Sequence, residues 1–205
     1  MAVDINVLVE GPTDEAIARR VLTHVGLPCG TVYGKAGKQH LLARLPSYNE
    51  AARRSRWLVI VDLDNDDKCA PPFVQAALPT PSSGMQLRVA VRAIESWLLA
   101  DADRLAASLG ISPAVVPRDP DMEENPKRTL VNLARRSRRK AIRGSVVPRP
   151  GSGADVGPGY LTWVTEFVAA AGDGWRPEVA AEYSDSLRRC VSALRRWSED
   201  SFVVR

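Results

Sequence analysis

Apolar residues fall in two registers along this chain. The runs Ile5-Asn6-Val7-Leu8-Val9 and Trp57-Leu58-Val59-Ile60-Val61 are short, almost unbroken and rich in β-branched residues, so they read as buried strands. Weaker signals of the same kind lie at Thr31-Val32-Tyr33 and over residues 86–91. Between them the apolar positions change to helical spacing. Ile17, Val21, Leu22 and Val25 share one face of a helix that starts after Gly11-Pro12. Thr13 is its expected cap, and Asp14 and Glu15 sit in the first turn, where the helix dipole favours them. A second helix is predicted over residues 39–54. A third, over residues 93–109, places Ile94, Trp97, Leu98, Ala102, Leu105 and Leu109 on one stripe. This alternation predicts an α/β fold with a parallel sheet flanked by helices on both faces.

After Gly110 the pattern changes. Residues 112–126 are rich in proline and acid and read as a loop, residues 127–141 as a strongly basic helix, and residues 145–159 as a glycine- and proline-rich loop. Two more helices are predicted over residues 160–171 and 183–197, and no internal repeat is present. The expected organisation is an α/β domain over residues 1–110 and a C-terminal helical extension over residues 111–205. That extension either packs on the sheet or forms a small subdomain.

Composition adds limits. The 205 residues suffice for one sizeable core, and 45% hydrophobic with 25% charged residues is an ordinary globular balance. The start of the chain lacks a charged segment followed by an apolar stretch, so no signal peptide is expected, and no apolar run is long enough to span a bilayer. Cys29, Cys69 and Cys190 are odd in number and widely spaced, which argues against a disulfide framework and for a reducing cytoplasm. A net charge of +4 and a pI near 9.2 favour a polyanionic partner only weakly.

The acids have a sharper placement. Parallel sheets put their sites at the carboxyl ends of the strands. Glu10 closes the first strand, Asp62 and Asp64 close the third with Asp66 and Asp67 just beyond, and Glu95 opens the helix after the fourth. Any one of them is an ordinary turn or cap residue. Together they repel, and a hard cation such as Mg²⁺ or Mn²⁺ relieves the repulsion through oxygen ligands. Asp14 and Asp66 join Glu10, Asp62, Asp64 and Glu95 as candidate metal ligands. A calcium-loop reading of Asp62, Asp64 and Asp66 fails because Asp67 and Phe73 stand where that loop needs Gly and Glu. A phosphate-loop reading of residues 34–38 fails because Val32 and Gln39 replace the required Gly and Ser/Thr. Lys35 and Lys38 follow the second strand and are candidates to offset charge on a phosphoryl transition state, or else lie in a solvated loop.

Val7-Leu8-Val9-Glu10-Gly11-Pro12-Thr13-Asp14 and Leu58-Val59-Ile60-Val61-Asp62-Leu63-Asp64 resemble the two signature motifs of the Toprim family, a strand ending in Glu-Gly and a strand ending in Asp-x-Asp. That family is shared by topoisomerases, primases and the overcoming-lysogenization-defect nucleases. Ala93-Ile94-Glu95-Ser96-Trp97-Leu98-Leu99-Ala100-Asp101 and Ser186-Leu187-Arg188-Arg189-Cys190 look like a bacterial Toprim-like family carried as a domain of unknown function, which extends the likeness over nearly the whole chain. The resemblance implies a Rossmann-like core, a metal centre of Glu10, Asp62 and Asp64, and Asp14 as a second acidic position of the nuclease branch. It also implies an ATPase partner and a role in phage defence. No tyrosine is placed as a topoisomerase nucleophile and the chain is short for strand passage, so hydrolysis is the favoured chemistry.

Lys127, Arg128, Arg135, Arg136, Arg138, Arg139, Lys140 and Arg143 lie within residues 127–143, which contain no acid. Such a run either contacts phosphates without reading sequence or forms a solvated helix face. Tyr160 and Trp163 are read as core residues of an amphipathic helix, with base stacking as the alternative; His24 and His40 are read as structural. The leading expectation is a divalent-metal-dependent nuclease. The alternative is a non-catalytic Toprim-like module that binds nucleic acid or a partner ATPase. A primase-like transferase lacks any zinc or template module in this sequence.

Overall fold

The computed structural model describes residues 4–199; residues 1–3, on which part of the leader reading rests, lie outside the described residues. Four strands, β1 (Ile5–Val9), β2 (Cys29–Gly34), β3 (Arg56–Asp62) and β4 (Met85–Ala90), form one sheet in the order β2-β1-β3-β4, with every pairing parallel. The described residues form ten α-helices: α1 (Pro12–His24), α2 (Lys38–Ala51), α3 (Ala70–Ala77), α4 (Glu95–Leu99), α5 (Ala102–Leu109), α6 (Pro126–Arg135), α7 (Lys140–Val146), α8 (Tyr160–Ala169), α9 (Pro177–Tyr183) and α10 (Asp185–Glu199). This is the α/β architecture that the alternation predicts.

The two-residue period of the strands sorts the core into two layers. Ile5, Val7, Val9, Leu58 and Ile60 face α1 and the helices of the second half, whereas Leu8, Trp57, Val59 and Val61 face α2 and α3. One continuous apolar cluster runs from β1 and α1 through α4, α6 and α8 to α10. The helical extension is therefore packed on the sheet. β1 and β3 are the central neighbours: the chain leaves β1 towards β2 on one side and β3 towards β4 on the other. That reversal opens a crevice at the carboxyl ends of β1 and β3. At its rim Gly34 has φ +90°, and a side chain there would meet the Val9 carbonyl at 2.2 Å, so only glycine lets β2 end against β1.

Several elements depart from the sequence reading. Gly11, not Thr13, caps α1, with Pro12 at its first position. The stretch over residues 93–109 is two helices, because Asp101 turns inward to cap α5 through the Arg104 amide and to bind Arg176. The basic stretch 127–141 is also divided: Ser137 bonds the Leu109 carbonyl and accepts the Arg139 amide between α6 and α7. Residues 177–183 form α9. Ser184 then accepts the Leu187 amide and restarts the chain as α10. No helix is long and apolar enough to cross a membrane among the described residues, and all three cysteines are free.

Candidate metal centre

The crevice gathers acids from four places: the ends of β1 and β3 and the first turns of α1 and α4. Glu10 leaves β1, and its Oε1 accepts the Asp62 amide at 2.8 Å. Asp62 ends β3, and its Oδ1 accepts the Ile94 amide at 2.8 Å, just before α4. Each carboxylate is thus aimed by a backbone N–H, and neither oriented oxygen depends on a flexible partner. Asp14, in the first turn of α1, is 6% exposed, and Glu95, the first residue of α4, is 1% exposed. Asp14 Oδ1 and Glu95 Oε2 are buried without a hydrogen-bond partner. An orphaned buried polar atom costs roughly 1–3 kcal/mol, more when charged, so these two oxygens are unmet hydrogen-bonding capacity within the crevice.

The electrostatics agree with that geometry. Burial, then the charges of Glu10 and Glu95, push the Asp14 carboxyl up to about 7. Burial, followed by Asp14, Glu95 and Glu10, holds Asp62 well above the usual carboxylate range. Burial also raises Glu10, against the Asp62 amide, which favours its ionised form. Asp64 and Asp66 belong to a different environment. Asp64 has φ +50° and a half-exposed side chain, and Lys38 Nζ reaches its Oδ2 at 3.0 Å and Asp66 Oδ2 at 2.6 Å. Burial opposes the Lys38 charge, but the two carboxylates outweigh it and raise the ammonium. The guanidinium of Arg92 fixes this loop by donating to the carbonyls of Asp64, Asp67 and Lys68.

Two groups from the helical extension complete the crevice. The Tyr160 hydroxyl donates to Glu95 Oε1 at 2.8 Å, and Lys127 Nζ stands 3.5 Å from the same oxygen. The charge of Glu95 raises Lys127 above its ordinary value, while burial raises the Tyr160 phenol. Tyr160 is buried, as the core reading has it, and Lys127 belongs to the crevice as well as to the basic run. The available signal was position. Lys127 lies in the first turn of α6, where the helix dipole disfavours a cation unless an anion faces it.

The structure brings Glu10, Asp14, Asp62 and Glu95 into one crevice, with Asp64 at its exposed edge. It does not bring Lys35 there: Lys35 pairs with Glu15 at 3.0 Å. Asp66 is engaged by Lys38. Among the described residues no three His, Cys, Asp or Glu side chains stand together as a ready ligand shell. The donor set still fits a hard divalent cation. It consists of oxygens, two of them unpartnered, and burial with the neighbouring acids raises the proton affinity of Asp14 and Asp62. Glu10, Asp14, Asp62 and Glu95 are the residues that would hold it.

The remaining cations lie outside. Arg128, Arg135, Arg136, Arg138, Arg139, Lys140 and Arg143 are exposed, and none makes an ion pair among the described residues. Arg139 and Arg143 each donate to a backbone carbonyl, of Ser108 and Ser137. Trp163 is buried, stacked on Phe167 with its indole N–H on Ser108, so the core reading describes it and base stacking does not. His24 faces Glu178 and Arg195, and His40 is exposed. No family model, no curated protein and no solved structure matches the chain.

Proposed function

We propose that this chain is a divalent-metal-dependent nuclease that hydrolyses phosphodiester bonds in DNA or RNA at the crevice of Glu10, Asp14, Asp62 and Glu95. One observation carries the reading: four carboxylates converge at the switch point of a parallel sheet, and two of their oxygens are buried with no partner. When bound, Mg²⁺ or Mn²⁺ supplies charge neutralisation and Lewis-acid polarisation of a phosphodiester. The chain supplies orientation and proton handling. The Asp62 and Ile94 amides fix one oxygen each of Glu10 and Asp62. Glu10, with its raised affinity for a proton, is the group to accept one from an attacking water. Lys127 and Tyr160 hold Glu95 from the other side. Lys38 pairs with Asp64 and Asp66 at the exposed edge. Lys35, paired with Glu15, has no part in this scheme.

The competing reading is a non-catalytic Toprim-like module. It draws on the built-in cations Lys38 and Lys127, which already offset part of the acidic charge. A reducing cytoplasm as the setting, a partner ATPase, and a toxin or phage-defence role all belong to the proposal, the last two through the Toprim resemblance alone. The test is cleavage of labelled DNA and RNA by purified full-length chain with Mn²⁺ or Mg²⁺. Metal-dependent cleavage lost in Asp62→Ala and Glu10→Ala supports the nuclease. Cleavage that persists in EDTA, or in both variants, rejects the assigned chemistry.

A further inference from the structure

Helix α6 joins the acidic crevice to the exposed cations, and this connection bears on substrate size. Its first turn places Lys127 against Glu95, half-exposed at 46% of its side chain, so Lys127 belongs both to the site and to the surface. Lys127 itself turns inward; beside it Arg128, Asn132, Arg135 and Arg136, at intervals of four, three and one, fall within about a 100° arc of the exposed side. All four are exposed, and the opposite face carries the buried Leu130, Val131, Leu133 and Ala134. No acid interrupts the exposed face, and Arg138, in the turn after the helix, is exposed as well. The three arginines at the far end have no ion pair among the described residues. Unpaired cations with a common exposure attract phosphates without regard to sequence.

Length turns this stripe into a requirement. Ten residues of α-helix extend about 15 Å. Phosphates along one strand of a duplex advance about 3.4 Å each, so the stripe matches about four of them. A mononucleotide seated at the crevice cannot reach Arg135, Arg136 or Arg138.

We infer that α6 is a track for the phosphate backbone of a polymeric substrate, leading from the crevice at Lys127 to Arg135, Arg136 and Arg138. The inference rests on the nuclease reading for the crevice end, but its content is the substrate class: a phosphodiester polymer rather than a nucleotide or a short fragment. The track binds an extended strand and spares a short one.

Fluorescence anisotropy with labelled deoxy- and ribo-oligonucleotides of two to sixteen nucleotides, single-stranded and paired, in EDTA and low salt, tests it without cleavage. Affinity is expected to rise steeply up to the length that spans α6 and then to level off. Arg135→Gln, Arg136→Gln and Arg138→Gln together are expected to weaken binding of the longest probe about tenfold or more, with little change for the shortest. The substitutions are exposed, so an unchanged melting temperature confirms that the fold is kept. Equal losses for long and short probes, no loss, or no binding of any probe overturns the track. A chain that binds with this length dependence but never cleaves with metal keeps the track and loses the nuclease reading. A chain that cleaves with no length dependence keeps the nuclease and loses the track.

Discussion

The acids at the strand ends and the arginines of α6 and α7 are both surplus charge, but the fold places them in opposite environments. Glu10, Asp14, Asp62 and Glu95 come from positions far apart in the chain; Asp14 and Glu95 are buried, and burial together with the neighbouring carboxylates raises the proton affinity of Asp14 and Asp62. The arginines are contiguous in sequence, exposed and unpaired. An exposed cation costs little to keep, so its presence argues only weakly for a ligand. A buried carboxylate beside three others is expensive, and a fold that retains it is trading stability for a task. Lys127 is where the two regions meet, one end of the basic run turned inward onto Glu95.

The largest effect expected from this contrast is at the acids. Asp62→Ala and Glu10→Ala should reduce metal-dependent cleavage to background while circular dichroism stays unchanged. The same logic gives a stability effect of opposite sign. Asp14→Asn removes a buried charge and should stabilise the metal-free chain by about 1–3 kcal/mol, read from urea melts. A destabilised Asp14→Asn would mean that the crevice is a structural polar network and not a strained site.

The pH dependence follows from the same group. Asp14 is pushed up to about 7 in the fold, whereas an unfolded Asp ionises near its ordinary 3.8. Between these values the folded chain binds more protons than the unfolded one, so its stability must fall as pH rises through that window. The melting temperature of the metal-free chain should therefore drop from pH 4 towards pH 7 and flatten above it. Mn²⁺ should restore more at pH 8 than at pH 5, because a deprotonated crevice is the one that takes a cation. A melting temperature that rises over pH 4 to 7 contradicts the assignment of a buried, uncompensated acid.

At the arginines the expected changes concern binding and not folding. Reversing Arg135, Arg136, Arg138 and Arg139 to Glu should reduce the slope of log affinity against log salt by about 3, with stability changed by no more than about 0.5 kcal/mol. An unchanged slope would assign the run to a solvated face. The smallest effect separates the two lysines after β2. Lys35→Ala removes only an exposed pair with Glu15, worth at most about 1 kcal/mol, and should leave Mn²⁺ affinity untouched. Lys38→Ala frees Asp64 and Asp66 and should change it measurably.

How legible each part was in the sequence depends on how local its cause is. β1 and β3 were readable because strands buried on both faces must be apolar at nearly every position, so Glu10 and Asp62 stood out as the first residues to break the runs. Glu95 was readable as the opening of a helix after a strand. The divisions within residues 93–109 and 127–141 were not, because Asp101 and Ser137 are set by partners, Arg176 and Leu109, that only the folded chain brings near. α3 has no counterpart in the sequence reading; Pro71 and Pro72 fall in its first turn, where proline interrupts nothing. The Lys127 contact is not readable for the same reason as Asp101: its partner Glu95 is 32 residues away in the chain, and the bond from the buried Tyr160 to Glu95 spans 65.

Calorimetric titration of Mn²⁺ into the metal-free full-length chain and into Asp62→Asn separates a cation site from a structural polar network. Saturable binding to the wild type is expected, with a loss in Asp62→Asn of at least the roughly 10–100-fold that removal of an outer-shell partner costs. The variant is expected to melt no lower than the wild type in the absence of metal. Equal Mn²⁺ binding by both proteins, or none by the wild type, would contradict the cation site.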